Sequence, residues 1–259
     1  MRTIESLKRG LEVLRLLNEP GMDQVRALHR ASGLPKPTIV RILETLIEDG
    51  YIVRTDAGRY RLATKVIELS QGFDPVDGLL AAARPTLDAF RERHVWPSDL
   101  AVLDRGAMVI VNTSHTPGTM TLNRSVGSRL PVLKTALGRA FLAYARPEVR
   151  RDTLNHLGLA EGSKGDRSGE RKAVLGLLER VRARGYATSD HEFLKSVVAV
   201  AVPILIDGTA VASVNMMAVA SAMSAAQAEK AFVDELKALA ATVSDILSEG
   251  RLDSAGPAH

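Results

Sequence analysis

Between residues 23 and 62 the sequence leaves little architectural freedom. Two short helical patterns meet at a glycine turn, and two alternating runs follow directly. Val25, Leu28 and Ala31 repeat at helical spacing, with Asp23 expected as the cap and Ser32-Gly33 as the stop. The stretch PKPTIVRILETLIEDG then places Ile39, Ile42, Leu43, Leu46 and Ile47 on one face and ends at Gly50. A tight turn containing Gly sets the crossing angle of a helix-turn-helix. Upstream, Ile4, Leu7, Leu11, Leu14 and Leu17 form the apolar face of a first helix, which Thr3 or Ser6 would cap and Pro20-Gly21 would stop. Downstream, YIVR and RYRL flank Asp56-Ala57-Gly58, a hairpin signal. Three helices and a basic hairpin predict a winged helix-turn-helix.

Such a unit points to nucleic acid, and charge agrees. Residues 1–68 carry 12 Lys and Arg against 9 Asp and Glu, whereas residues 69–259 carry 22 against 21. On the third helix, Lys36, Thr38, Arg41 and Thr45 lie off the apolar stripe. Arg41 has the fork that matches the two major-groove acceptors of guanine. Thr38 and Thr45 suit a phosphate or a thymine methyl, and Lys36 a phosphate at the helix start. Arg54, Arg59 and Arg61 sit near the hairpin tip, within reach of backbone phosphate or a minor groove. The competing role for Arg61 is an ion pair with Glu48 or Asp49.

The remaining chain is long enough for a second domain, with a boundary near residue 75. The expected division is a DNA-binding unit over 1–68, a linker helix and break over 69–78, a body over 79–250 and a disordered tail over 251–259. LATKVIELSQGF reads as a helix continuing past the wing. Leu79, Leu80, Ala83, Leu87 and Phe90 keep helical spacing through Pro85, which predicts a kink or two abutting helices near Arg84. Hairpin signals recur at Arg105-Gly106 and Asp207-Gly208, and GTMTLNRSV reads as a weaker strand. Helices are expected over 135–144, 147–157, 170–184 and 224–249, with Ser224 as a cap. The Gly/Ser-rich stretch GLAEGSKGDRSGERK reads as a mobile surface loop. The body is therefore α+β, an antiparallel sheet with packed helices.

With no cysteine, disulfides, iron–sulfur clusters, Cys-type zinc sites and thiol catalysis are excluded. No apolar run reaches the roughly 18 residues of a membrane span, and the basic N-terminus has no apolar stretch behind it. A cytoplasmic protein without a membrane partner is expected. His29, His94, His115, His156, His191 and His259 have no motif partners beyond His191-Glu192, and no phosphate-binding or nucleophile motif appears. An enzyme is not expected, nor a metal or cofactor. A binding pocket is better founded. The helix that follows Pro131 has its first unpaired N–H donors near Thr135, Ala136 and Leu137, and a helix start holds a carboxylate well. Arg124 is a second candidate partner for a carboxylate.

SLKRGLEVLRLLNE, LPKPTIVRILETLIEDGYIVRTDAGRYRLATKVIELS, VGSRLPVLKTALGRAFLAY, VRARGYATSDHEF and VAVAVPILIDGTAVASVNMM resemble, in order and spacing, the IclR family of bacterial transcriptional regulators. The resemblance implies a GAF-like effector domain that binds a small organic acid or aromatic compound. It places the ligand on the backbone of Ala136 and Leu137, an acidic position on Ser189 or Asp190, a small polar position on Ala199, and two strand positions on Asn215 and Met217. Ala199 and Met217 depart from a fully polar site, which favours an aromatic or arylalkyl acid over a small keto acid. WPSDLAV and SAMSAAQA resemble the branch that controls aromatic-acid catabolism. Operator DNA and a homodimer or homotetramer are the implied partners, and the apolar first helix offers one interface. A DNA-binding protein whose C-terminal body only oligomerises remains the alternative.

Overall fold

A computed structural model describes residues 3–70, 78–114, 124–162 and 166–254. The chain divides into two compact units, Met1–Phe73 and Asp74–His259.

The first unit contains helices α1 (Glu5–Leu16), α2 (Val25–Ser32) and α3 (Lys36–Glu48), then a hairpin of β1 (Ile52–Arg54) and β2 (Tyr60–Leu62). Its core is Val13, Leu16, Leu17, Leu28, Ile39, Leu43 and Ile52. The turn between α2 and α3 is satisfied locally. Gly33 takes a φ of 69°, and the Ser32 hydroxyl donates to the Leu28 carbonyl (2.7 Å) and accepts from the Leu34 amide (3.2 Å). At the end of α3, the Tyr51 amide donates to Leu46 and the Gly50 amide to Ile47, with Gly50 at φ 77°. This six-to-one and five-to-two pattern closes the last carbonyls, and it needs a residue that tolerates the left-handed region.

Several expectations fail in this unit. Ile4 is the N-cap residue of α1, without a side-chain cap, so neither Thr3 nor Ser6 fills that role. The core covers only the C-terminal half of α1, which leaves Ile4, Leu7 and Leu11 exposed. A periodic stripe marks a face without saying which neighbour covers it. Ile47 is likewise exposed. Gln24, not Asp23, is the N-cap residue of α2. The Asp23 carboxylate instead accepts from Arg59 (2.8 Å), and its carbonyl accepts from the Tyr60 amide (2.9 Å), which ties the wing to the start of α2. Thr64–Ser70 forms a 3-10 helix rather than an α-helix. The remainder of the expected linker, 71–77, lies outside the described residues.

The second unit is built on a six-stranded antiparallel sheet in the order β5-β4-β3-β8-β7-β6. Its strands are β3 (Asp99–Asp104), β4 (Ala107–Thr113), β5 (Arg129–Pro131), β6 (Ala187–Asp190), β7 (Val197–Ile206) and β8 (Thr209–Val219). The two hairpin signals fall at turns where Arg105, Gly106, Asp207 and Gly208 all have positive φ. Strand alternation splits the sheet into two faces. Val198, Val200, Val202, Val214, Met216 and Ala218 pack with α4 (Leu79–Arg93) and α8 (Ala225–Ser254). Ala101, Ala187 and Ala201 turn the other way, towards α5 (Ala136–Tyr144), α6 (Pro147–His156) and α7 (Asp166–Arg184).

The helix α4 runs unbroken through Pro85, so two abutting helices are not formed. Its buried residues Leu79, Ala82, Ala83, Leu87 and Phe90 hold it in place despite the lost hydrogen bond. At α8 the Ser224 hydroxyl accepts from the Gln227 amide while Gln227 accepts from the Ser224 amide, a reciprocal capping box. That helix continues to Ser254, so residues 251–254 of the expected tail are helical. The expected loop before Glu170 is shorter than its composition suggests, because α7 starts at Asp166. The weak strand over 118–126 lies largely outside the described residues, and its described end, 124–126, is not a strand. Strand β6 was not legible, since Thr188, Ser189 and Asp190 give no apolar alternation.

Candidate DNA interface and effector cavity

Helix geometry fixes what α3 offers to a partner. Ile39 and Leu43 are buried, so the opposite direction is occupied by Pro37, Arg41, Glu44 and Glu48, all exposed. Lys36 is exposed at the helix start. Thr45 is exposed and its hydroxyl donates to the Arg41 carbonyl (3.0 Å), while Thr38 is half-buried. Both threonines turn towards α1. With Arg41, Ser6, Leu7, Gly10 and Leu11 they line a groove of about 750 Å³. The groove lies along the surfaces of α1 and α3.

In the wing, Ile52 pairs with Leu62, Val53 with Arg61 and Arg54 with Tyr60. Arg54, Arg59 and Arg61 are all exposed. The Arg54 guanidinium lies 5.9 Å from the centre of the Tyr60 ring, and Arg59 is engaged by Asp23. Among the described residues Arg61 has no ion-pair partner, so the pairing with Glu48 or Asp49 is not made. The Asp49 carbonyl is taken by Lys65 instead (2.8 Å).

In the second unit one small cavity, about 20 Å³, is lined by Arg124, Thr135, Ala136, Ser189, Phe193, Leu194, Val197, Ala199 and Asn215. Register brings the floor together, since Ser189 pairs with Ala199, Ala199 with Met217, and Ala201 with Asn215. The roof is the start of α5. Thr135 accepts from the Gly138 amide (3.3 Å) and donates to the Pro131 carbonyl (2.9 Å). The amides of Ala136 and Leu137 have no acceptor among the described residues. Gly138 permits this placement, because a Cβ there would fall on the Val132 backbone.

The cavity charge is already balanced. Arg124 Nη1 donates to Asp99 Oδ2 (3.1 Å) and touches the Met217 sulfur (2.8 Å), and its guanidinium lies 5.7 Å from the Phe193 ring centre. The side chains of Arg124 and Asp99 are only 8% and 0% exposed. Asp99 also accepts from Thr113 (2.7 Å), and its amide donates to Asn215 Oδ1 (2.7 Å). Arg124 Nε is buried without a partner among the described residues. Arg124, a candidate carboxylate partner, is therefore already paired: Nη1 is held by Asp99, and Nε has no partner among the described residues. Nearby, burial pushes the Arg91 guanidinium below its usual value, with Asp88 and Asp99 opposing that shift. Arg91 is fixed to the Ser98 hydroxyl (2.9 Å).

Of the remaining expected residues, Leu137 is fully buried and its carbonyl accepts from Ser213 (3.0 Å). Met217 is buried beneath Arg124 and Ala199. Asp190 lies outside the cavity. Side chains alternate along β6, so Ser189 turns in and Asp190 turns out, where it pairs with His191. Sequence reasoning missed Asp99, Phe193, Leu194 and Val197. The one signal available for Asp99 was a carboxylate at the head of an apolar strand, which demands a partner when buried.

Comparison with known proteins agrees with both halves of this arrangement. Residues 6–56 match the IclR helix-turn-helix domain, and residues 76–245 match the bacterial transcriptional regulator IclR C-terminal domain. The chain is 27% identical to the Pca regulon regulatory protein of Pseudomonas putida over 237 residues, covering 90% of this chain and 80% of that protein. It is 29% identical to the glycerol operon regulatory protein of Streptomyces coelicolor over 215 residues, covering 78% and 80%. The crystal structure of an IclR transcriptional regulator from Alicyclobacillus acidocaldarius superimposes with a TM-score of 0.73 at 26% identity, covering 95% of this chain and all of that one. No helix among the described residues is long and apolar enough to cross a membrane. The winged helix-turn-helix, the antiparallel effector-type domain and the two family matches together establish that the chain belongs to the IclR family of DNA-binding bacterial transcriptional regulators.

Proposed function

We propose that this regulator responds to a monocarboxylic aromatic or arylalkyl acid held in its C-terminal unit. The observation that carries the reading is the cavity lining. The start of α5, where the Ala136 and Leu137 amides have no acceptor among the described residues and Ala136 lines the cavity, stands over Phe193, Leu194, Val197 and Ala199. A helix start favours a carboxylate through its free N–H groups and its dipole. With Arg124 Nη1 engaged by Asp99, the carboxylate goes to the backbone pair, and Arg124 Nε supplies a third donor. An apolar wall with few polar anchors suits a ring better than a two- or three-carbon keto acid. Asn215, whose oxygen is occupied by the Asp99 amide, offers its nitrogen to a ring substituent. The Pca regulon and glycerol operon relatives control different genes, and the reading rests on the lining of this chain.

Binding alters operator affinity only to the extent that the effector prefers one of two states of the protein. On the DNA side, Arg41 reads a base edge, while Lys36, Arg54 and Arg61 neutralise phosphate. Exposed Ile4, Leu7 and Leu11 support assembly as a dimer or a dimer of dimers, which a two-fold operator requires.

Titration calorimetry with 3-(4-hydroxyphenyl)propionate, 4-hydroxybenzoate and pyruvate tests the effector class. Binding of an aromatic acid, lost in Met217→Glu while operator binding without ligand persists, is the expected result. Binding of pyruvate alone would reverse the assignment, and silence with all organic acids would favour a body that only oligomerises.

A further inference from the structure

The effector cavity is far smaller than its proposed occupant. About 20 Å³ accommodates a single water, whereas small-molecule pockets run to about 300–1,000 Å³. Some part of the wall must move. The start of α5 is seated on the Val132 backbone through Gly138, and the floor lies on the paired strands β6, β7 and β8. The Arg124–Asp99 pair is buried.

Among the described residues, the remaining wall is the segment between β6 and β7 that carries Phe193 and Leu194. Its far end is fixed, because the Ser196 carbonyl accepts from the Ala220 amide (2.9 Å). Residues 191–195 are held more lightly. Their backbone bonds run to their own hinge, from the His191 amide to Val197 and from the Val197 amide to Leu194, each 3.2 Å. His191 has a φ of 56°, the left-handed region that costs a residue with a side chain. Phe193 is 39% exposed yet stands against the Arg124 guanidinium. Among the described residues, the polar tie from this segment across to the helical layer is a two-pronged ion pair between Glu192 and Arg139 of α5. Arg139 is anchored independently by the carbonyls of Leu133 (2.7 Å) and Thr188 (2.9 Å), so it stays in place when Glu192 leaves.

We propose that residues 191–195 are the entrance lid of the effector cavity, that the Arg139–Glu192 pair is its latch, and that Phe193 is the group an aromatic effector displaces from Arg124. The Phe193 role rests on the aromatic-acid reading above; the latch does not. Opening the lid further exposes the half-buried Ala199 on the floor and vacates the face of Arg124. An incoming ring takes the place of Phe193 on that guanidinium, while the carboxylate reaches the amides of Ala136 and Leu137.

The chain contains no cysteine, so one introduced thiol reports access without background. The full-length protein carrying Ala199→Cys is labelled with a thiol reagent, alone and combined with Glu192→Gln, against an exposed control, Ala226→Cys. Breaking the latch should accelerate labelling at 199 by roughly tenfold, the order expected for losing a charge-assisted pair, and leave the control rate unchanged. Equal rates at 199 in the two backgrounds would overturn the latch. Hydrogen exchange on Glu192→Gln alone, with no substitution in the cavity, provides the second measurement: faster exchange across 191–195 is expected, and unchanged exchange also overturns the latch. Adding 3-(4-hydroxyphenyl)propionate or 4-hydroxybenzoate should slow labelling of Ala199→Cys. No slowing by either acid overturns the role of Phe193 and the aromatic effector together, independently of the ratio that judges the latch.

Discussion

The two units place their charged chemistry in opposite settings. On the DNA-binding unit, Arg41 projects from the helix face opposite Ile39 and Leu43, and the Asp23–Arg59 pair is 33% and 56% exposed. In the effector unit, Arg124 and Asp99 are withdrawn from water and surrounded by Met217, Thr113 and Asn215. An exposed cation costs little to hold and is ready to meet any phosphate. A buried one must be neutralised before a ligand arrives. On the reading proposed above, the effector unit discriminates with what neutralisation leaves over, namely backbone amides, a guanidinium nitrogen without a partner among the described residues and the shape of an apolar wall. Arg41 stands on an open helix face, whereas Arg124 stands inside a buried network.

That contrast fails most visibly if the buried pair proves replaceable. Asp99→Ala leaves Arg124 buried without its carboxylate and should lower the stability of the effector unit by about 3–5 kcal/mol. The single tryptophan, Trp96, packs against the core of this unit, so its fluorescence during urea unfolding follows that unit alone. A loss below about 1 kcal/mol, the range of exposed pairs, would place Arg124 in solvent and remove the contrast.

Next in size is Arg41→Ala. Specific operator binding should weaken by about 1–3 kcal/mol, with relaxed preference at one position of each half-site. Competition between matched and mismatched operators at fixed salt separates the cases, because equal loss on every sequence would make Arg41 a phosphate contact.

The wing divides more finely than its three arginines suggest. Arg61 has no ion-pair partner among the described residues, whereas Arg59 is already committed to Asp23. Arg61→Ala should reduce the slope of log affinity against log salt by about 0.9, the value of one phosphate contact. Arg59→Ala should reduce it by less. Identical changes would mean that Arg59 abandons Asp23 on DNA.

The smallest effect is expected for Asp23→Ala. Its exposed pair contributes about 1 kcal/mol or less to stability, read from the thermal transition by far-ultraviolet circular dichroism. A larger loss would show that the tie between α2 and the wing carries more than a surface ion pair.

Much of the architecture was legible because its causes are local. Helical periodicity, Gly33 and Gly50 at left-handed positions, the Ser224–Gln227 box and the two turn dipeptides each act over a few residues. They determined the winged helix-turn-helix, both long hairpins of the effector unit and the start of α8. Periodicity also determined that α1 is amphipathic, but only packing decided that Val13, Leu16 and Leu17 are covered while Leu7 and Leu11 are not. Likewise, Asp23 has the chemistry of a cap, and the proximity of the folded wing gave it to Arg59.

Of the effector cavity, only the start of α5 and Arg124 were legible without family resemblance. It draws on Arg124, the start of α5, strand β6, the segment after it, and strands β7 and β8. One of its links joins Asp99 to Asn215 across 116 positions. No local pattern encodes such a contact, since it depends on the register of β3 against β8. The alternation of side chains in β6 chose Ser189 over Asp190 for the cavity. The sequence by itself determined most of the elements, though not β6, and that the helix after Pro131 begins with unpaired amides. The tertiary structure decided which charges are neutralised and which side chains close the site, because burial and register are properties of the assembled sheet rather than of any segment within it.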